Sequence, residues 1–294
     1  MGKIFEALEK SKKENKRSAP ANQPAGQSAN QPISQPANQP ISQPVSQPTG
    51  QPVNRQIFKD NLDENLVTLL NPQSFESEQF KILRTNLLFP VSGKSPRCIM
   101  ITSALPGEGK SFVSANLAIS IAQNIDEHVL LMDCDIRKPT MHSAFGFVDV
   151  QGLSEYLSKG ISLSSLLIKT DLNKLTLLPA GSPPANPAEL LSSQQMSELI
   201  KEVKERYNNR YIIIDSPPPQ LTAETSAIAR HVDGIIFVVK YGSTPRHIVT
   251  KLINILGKEK ILGVVVNYFD ARSSMYNRYS KYGKYYQKYS YYHK

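Results

Sequence analysis

Apolar residues along the chain gather into short runs that alternate with longer amphipathic stretches. The runs are Cys98-Ile99-Met100-Ile101-Thr102, Val129-Leu130-Leu131-Met132, Tyr211-Ile212-Ile213-Ile214, Gly234 to Val239 and Ile261 to Asn267. Each is short and rich in Ile, Leu or Val, so each reads as a buried strand. Between them the period shifts toward that of a helix. Residues 74–89 place Phe80, Leu83, Leu87 and Leu88 on one face, with Ser74 as N-cap and Glu76 and Glu78 in the first turn. Residues 112–122 do the same with Val113, Leu117 and Ile121, and helical patterns recur at 187–207, 224–231 and 244–256. Strands alternating with helices at this spacing predict an α/β fold: a doubly wound, mostly parallel sheet with helices on both faces.

The pattern stops at both ends of the chain. Residues 3–13 would put Ile4, Phe5 and Leu8 on one side of a short helix, suited to docking on a partner or a membrane surface but marginal alone. Residues 18–54 hold no charge and repeat Gln-Pro at 23, 31, 35, 39, 43, 47 and 51, a composition that cannot bury a core and favours extended polyproline II. Eight of the thirteen tyrosines (Tyr276, Tyr279, Tyr282, Tyr285, Tyr286, Tyr289, Tyr291 and Tyr292) crowd into the C-terminal tail. That tail reads as a phosphoacceptor cluster, as a base-stacking binder of single-stranded nucleic acid, or as an unspecific sticky end. The organisation is thus a basic amphipathic segment at 1–17, a disordered Gln-Pro linker at 18–56, a folded domain at 57–270 and a flexible tail at 271–294.

Charge sharpens this division. The net charge of +9 resides in the ends, +3 in residues 1–17 and +6 in 271–294, which leaves 18–270 neutral. Basic ends suit an anionic membrane face, nucleic acid or an acidic active site. The two cysteines, Cys98 and Cys134, sit in or beside strands, and no CxxC or Cys/His cluster exists. Neither a zinc site nor a disulfide framework is indicated, and a reducing compartment fits. No apolar run approaches the about 18 residues of a membrane span, and the first residues lack a signal-peptide core. A cytoplasmic protein is expected.

Chemistry concentrates where the strands end. The first strand runs into Ser103-Ala104-Leu105-Pro106-Gly107-Glu108-Gly109-Lys110-Ser111, which opens the helix at 112–122. Strand, glycine-rich loop and helix together are the context of a phosphate-binding loop, with backbone N–H groups as an anion cradle. Lys110 would reach the β- and γ-phosphates and the Ser111 hydroxyl would ligate Mg²⁺. The strict pattern begins with Gly where Ala104 stands, but Gly107 and Gly109 still permit close backbone approach. The second strand runs into Asp133-Cys134-Asp135-Ile136-Arg137, whose two acids, on alternate residues, would share a face and converge on one ion or proton. The third ends in Asp215-Ser216-Pro217-Pro218, an acid that in a P-loop protein normally holds Mg²⁺. A P-loop NTPase-like fold that binds nucleoside triphosphate follows.

Together these stretches resemble the bacterial tyrosine kinases of capsule and exopolysaccharide synthesis, the CpsD/CapB family. The resemblance runs from about Glu76 to Lys294. It rests on Leu105 to Ser111, Leu131 to Pro139, Asn186-Pro187-Ala188-Glu189-Leu190-Leu191, Ile214 to Pro218 and the tyrosine tail. Partitioning and division-site ATPases share the acid-ended strands, but they carry an extra lysine where Leu105 stands and lack the tyrosine cluster. The resemblance implies ATP and Mg²⁺ as cofactors, with Pro106, Gly107, Glu108, Gly109, Lys110, Ser111 and Phe112 around the phosphates and Asn267 on the adenine side. It implies Ser111, Asp133, Asp135 and Asp215 around the metal, and Lys110, Asp133, Asp135 and Arg137 as the catalytic group, with Asp133 the first choice of base. Glu224 stands where the family usually has Asp.

The family's oligomerisation helix, Glu-x-x-Arg-x-x-Arg, reads here Glu78-x-x-Lys81-x-x-Arg84. On residue grounds alone these are an ordinary solvated face with i,i+3 pairs, and Lys81 keeps the charge but loses the planar fork of arginine. The resemblance further implies a ring-like homo-oligomer that phosphorylates its eight tail tyrosines in trans. Its partners would be a separate membrane adaptor of the chain-length-determinant type, which recruits the chain to the inner face of the cell membrane, and a cognate phosphotyrosine phosphatase. Nucleic acid is not expected. The function expected is an ATP-dependent protein-tyrosine autokinase regulating polysaccharide polymerisation and export. The alternative is a partitioning-like ATPase switch whose basic tail binds nucleic acid or membrane.

Overall fold

All five apolar runs become strands of a single sheet, joined by two short strands for which the sequence pattern offered no sign. In chain order they are β1 (Cys98–Ser103), β2 (His128–Asp133), β3 (Ile168–Lys169), β4 (Leu175–Leu178), β5 (Arg210–Asp215), β6 (Gly234–Lys240) and β7 (Ile261–Asn267). They lie in the order β3-β4-β2-β5-β1-β6-β7, and every neighbouring pair is parallel except β3 with β4. This computed structural model describes residues 61–206, 209–219 and 224–269. The segments expected at 1–17, 18–56 and 271–294 lie outside the described residues.

Alternate strand residues feed two separate cores, one on each face of the sheet. Met100, Leu130, Met132, Ile212, Ile214 and Phe237 face one way, against Leu153, Leu157, Met196, Leu199, Ile200, Leu252 and Leu256 of the covering helices. Ile99, Ile101, Val129, Leu131, Ile213 and Val238 face the other, against Val113, Leu117 and Ile121 of helix Lys110–Ala122 and Phe80, Leu87 and Leu88 of helix Phe75–Leu88. Period-2 side-chain direction makes this inevitable once both faces are covered. Each such buried side chain contributes about 1.5–3 kcal/mol relative to exposure. Ser74 caps its helix as expected, accepting from the Ser77 N–H at 3.1 Å.

Three expectations need correction. The single helix at 187–207 is two, Pro187–Leu191 and Gln194–Arg206. The Ser192 hydroxyl donates back to the Ala188 carbonyl at 2.7 Å and ends the first, and the Ser193 hydroxyl accepts from the Met196 N–H at 3.2 Å and starts the second. Serine competes with helical backbone bonding in this way. Second, β7 is not buried. Among the described residues it is the edge of the sheet, paired with β6 alone, and exposes Leu262, Val264 and Val266 at 41%, 47% and 51%. Third, Asp135 does not share a strand face with Asp133. The Asp133 carboxylate accepts the Asp135 N–H at 3.1 Å, which turns the chain and ends β2 at Asp133. Among the described residues, no helix is long and apolar enough to cross a membrane.

Candidate active site

The phosphate loop leaves β1 in the middle of the sheet. Gly107 and Gly109 have φ of +77° and +88°, the left-handed region that glycine enters without penalty. A Cβ on Gly109 would stand 2.0 Å from Asn267 Nδ2, so a side chain there would displace the Asn267 amide as well as strain the left-handed backbone. A Cβ on Gly107 would meet nothing within 4 Å, which marks the open side of the cradle. Val113 N–H closes onto the Gly109 carbonyl at 2.9 Å, and helix geometry leaves the N–H groups ahead of it for an anion.

Glu108 holds this loop in shape, a role the motif does not advertise. It is 3% exposed, its Oε2 accepts the Leu105 N–H at 2.8 Å, and its Oε1 accepts the Thr244 hydroxyl. Its backbone carbonyl accepts from Asn267 Nδ2 at 3.0 Å. Loop, β6–helix turn and the end of β7 are thereby tied together. Phe112 turns its ring inward, edge-on to Phe80 at 5.7 Å, so it has only backbone to offer a phosphate.

The acids meet because β5 lies between β1 and β2. Asp133 and Asp215 are register partners, and Asp215 also pairs with Ile101 of β1. Ser111 donates to Asp215 Oδ2 at 2.6 Å and Ser114 to Oδ1 at 3.0 Å. Lys110 Nζ donates to Asp135 Oδ2 at 2.8 Å and stands 3.7 Å from Asp215 Oδ2. Asp133 takes a second backbone N–H, from Met141, at 3.2 Å. Burial pushes the Asp133 carboxyl up to about 8, with Asp215 beside it adding to the rise. Burial also raises Asp215, although Lys110 and Ser111 pull against it. Burial pulls Lys110 down, but Asp215 and Asp135 outweigh it and hold the ammonium form firmly.

These donors fit the implied cofactors. The acids and the Ser111 hydroxyl are hard oxygen donors, which suit Mg²⁺, and two adjacent buried carboxylates call for a cation. Among the described residues no three His, Cys, Asp or Glu side chains are grouped so as to hold a metal, so an ion would need ligands from Ser111 and the phosphates as well. That division is the usual one for Mg²⁺ with nucleotides.

One pair at the site lay beyond the sequence reading. Arg137 donates from Nε and Nη2 to Glu224 Oε1, at 2.9 and 2.7 Å. The Glu224 side chain is 1% exposed and that of Arg137 is 47% exposed, so a buried acid anchors a half-exposed guanidinium. An acid opening a helix after the proline turn was the available signal, but helix-start acids are common. Glu78, Lys81 and Arg84 stand apart from this centre. Lys81 bonds Glu78 at 2.6 Å and the Pro72 carbonyl at 2.9 Å, and Arg84 donates to the Ser120 carbonyl at 2.8 Å. The eight tail tyrosines lie outside the described residues.

Comparison with known proteins agrees with this geometry. A family described as "AAA domain" matches residues 96–260, more than half of the chain. The tyrosine-protein kinase YwqD of Bacillus subtilis (strain 168) is 38% identical over 208 residues, covering 70% of this chain and 86% of the relative. The kinase domain of Escherichia coli tyrosine kinase ETK superposes with a TM-score of 0.66 at 30% identity, covering 71% of this chain and 82% of that one. The septum site-determining protein MinD with Mg-ADP from Pyrococcus horikoshii OT3 shares the fold, at TM-score 0.51 and 22% identity over 60% of this chain and 72% of that one. A mostly parallel sheet, a phosphate loop facing strand-end aspartates and these sequence matches lead to one conclusion: the chain belongs to the bacterial tyrosine-protein kinases.

Proposed function

We propose that this chain is an ATP- and Mg²⁺-dependent autokinase that phosphorylates its own tail tyrosines, Tyr276 to Tyr292, in trans within a ring-like oligomer. The observation that carries the reading is the Lys110–Asp135–Asp215–Ser111 cluster beside the phosphate loop, in a chain that also bears a basic, acid-free tyrosine tail. The cluster is built for positioning and charge neutralisation, which is most of what phosphoryl transfer requires. Pro106 to Phe112 would cradle the phosphates through backbone N–H groups, and Lys110 would turn from Asp135 to the β/γ oxygens. Ser111, Asp135 and Asp215 would hold Mg²⁺, which when bound offsets phosphate and carboxylate charge alike. Asp133 would take the tyrosine proton: burial lifts it to about 8, close to working pH, where a general base is most effective. Arg137, anchored by Glu224, would neutralise charge on the transferring group.

The biological assignment extends the family resemblance. The kinase would regulate polymerisation and export of a capsular or extracellular polysaccharide, recruited to the cytoplasmic face of the membrane by a separate chain-length-determinant adaptor and reversed by a phosphotyrosine phosphatase. Glu78, Lys81 and Arg84 would form the subunit contact, and residues 1–17 would dock on the adaptor. Deleting 1–54 should abolish membrane recruitment, and recruitment that survived the deletion would remove that role from the segment.

The test is mass spectrometry of the tail after incubation with Mg·ATP, with and without a membrane fraction, using Lys110→Met as control. Phosphate on several tail tyrosines, absent in the variant, is expected. ATP hydrolysed over an unmodified tail, with membranes present, would overturn the kinase reading in favour of an ATPase switch.

A further inference from the structure

Helix Gln194–Arg206 and the turn that leads from helix Glu224–Ala229 into β6 flank a cleft of about 500 Å³. It lies at the amino ends of the strands. Asp233, in that turn, accepts the Arg97 and Cys98 N–H groups at 3.0 and 2.8 Å, which fixes the turn against the start of β1, whereas the phosphate loop follows its end. The other Asp233 oxygen takes Lys204 Nζ at 2.5 Å, and Lys204 also donates to the His231 carbonyl at 3.2 Å. Lys260, just before β7, donates to the carbonyls of Ala229 and Arg230 at 2.6 and 2.9 Å. Two ammonium groups are thus held at one turn. Arg230 and Lys201 line the same cleft, and neither has an acid partner among the described residues. Of the carboxylates there, Glu198 already takes Gln194 Nε2 at 2.7 Å, and Glu205 is exposed. His231 sits among the cations, with Nε2 3.1 Å from the Ser197 hydroxyl. Burial, and then Lys260, Arg230 and Lys204, hold its pKa below the ordinary histidine value. The imidazole is therefore neutral near pH 7, in a field that three cations make positive.

We propose that this cleft is a binding site for phosphotyrosine. A phosphomonoester carries about −1.5 to −2 charge near pH 7 and three acceptor oxygens, which match Arg230, Lys201 and Lys204 as donors. The cleft is larger than a bare phosphate needs and has the size of a small-molecule site. Buried Ile200 and the stems of Lys201 and Lys204 give apolar surface to a ring, and a guanidinium such as that of Arg230 stacks on aromatic faces. Once the dianion offsets the cations, His231 can take a proton and become a further donor. The kinase could then hold a phosphorylated chain, the class of product it makes, at the end of the sheet opposite the phosphate loop and without blocking it. The proposal rests on the tyrosine-kinase family and not on which tyrosines this chain modifies.

Calorimetry on the phosphatase-treated full chain, with excess Mg·ADP to fill the phosphate loop, tests it with O-phosphotyrosine, O-phosphoserine and inorganic phosphate as probes. Phosphotyrosine should bind about tenfold more tightly than the other two. Arg230→Gln and Lys201→Gln should each lower its affinity about tenfold. Both residues are exposed, so both variants should keep the wild-type melting temperature. The His231 imidazole resonance, assigned with His231→Gln, should titrate at higher pH when phosphotyrosine is bound. Equal affinity for the three probes would overturn the proposal, since the ring would then go unrecognised. So would phosphotyrosine affinity that neither substitution changes, or a His231 titration that does not move. A tail left unmodified by Mg·ATP would overturn autophosphorylation and leave this site standing.

Discussion

The two sides of the phosphate loop hold their functional groups in place by opposite means. On the β2–β5 side, Asp133 and Asp215 are 1% and 0% exposed, fixed by strand register and by backbone and hydroxyl donors. On the β6–β7 side, Tyr268, Tyr241 and Phe269 are 59%, 49% and 36% exposed, and Asn267, Thr244 and Glu108 tie that edge to the loop. Burial makes the acid side rigid at the expense of charge repulsion. Exposure leaves the other side adaptable and nearly free of electrostatic strain. The rigid, buried side suits chemistry that depends on sub-ångström placement, and the exposed side suits contacts that tolerate adjustment.

Substitutions on the acid side should therefore act on rate, and steeply. Lys110→Met removes the cation shared by Asp135 and Asp215 and should lower tail phosphorylation by about 10³-fold, read as phosphotyrosine by mass spectrometry. Asp215→Asn leaves Ser111 and Ser114 with a neutral partner and weakens the metal site, with an expected loss of about 10²-fold in the same assay. Glu224→Gln keeps the shape of the Arg137 anchor but not its charge. An about tenfold drop in kcat with unchanged nucleotide affinity is expected, and a wild-type kcat would show that the pair only staples two loops.

The repulsion stored on that side is visible through pH. The carboxyl of Asp133 is raised by burial and by Asp215, so the folded protein holds a proton that the unfolded chain releases near the usual aspartate range. Its contribution to stability is complete below about pH 4 and is lost as the pH rises toward about 8. Thermal unfolding followed from pH 5 to 8 should show this decline in the wild type without nucleotide. Asp133→Asn, free of the charge, should show a flatter profile and higher stability at pH 8. An identical slope in both proteins would mean that other groups set it.

The smallest effect belongs to the outer edge and calibrates the comparison. Val238→Thr in β6 buries a hydroxyl at a position 0% exposed and should cost about 1–3 kcal/mol in chemical denaturation. The same change at Val266 in β7, 51% exposed, should cost less than about 0.5 kcal/mol.

Some of this was contained in the chain itself. Short Ile- and Val-rich runs with no polar interruption read as strands, though the run at 261–267 shows that they need not be covered on both faces, and a glycine-rich turn between strand and helix reads as a close-approach loop. Lys110, Ser111, Asp133 and Asp215 were placed by that local logic, since each sits at the end of an element whose direction the pattern declares. Residues 140–186 were not, because their short helices and Leu175–Leu178 are too brief for any period to emerge. Strand order was out of reach as well. That β5 inserts between β1 and β2, bringing Asp215 beside Asp133, depends on how helices pack across two faces of the sheet, which no local run encodes. The Arg137–Glu224 pair joins residues 87 positions apart, and Tyr268 meets Gly109 across most of the domain. Sequence determined which residues carry charge, hydroxyl or ring and which elements bear them. Tertiary packing alone decided which of them touch, because register between distant strands is set by the burial of both faces at once.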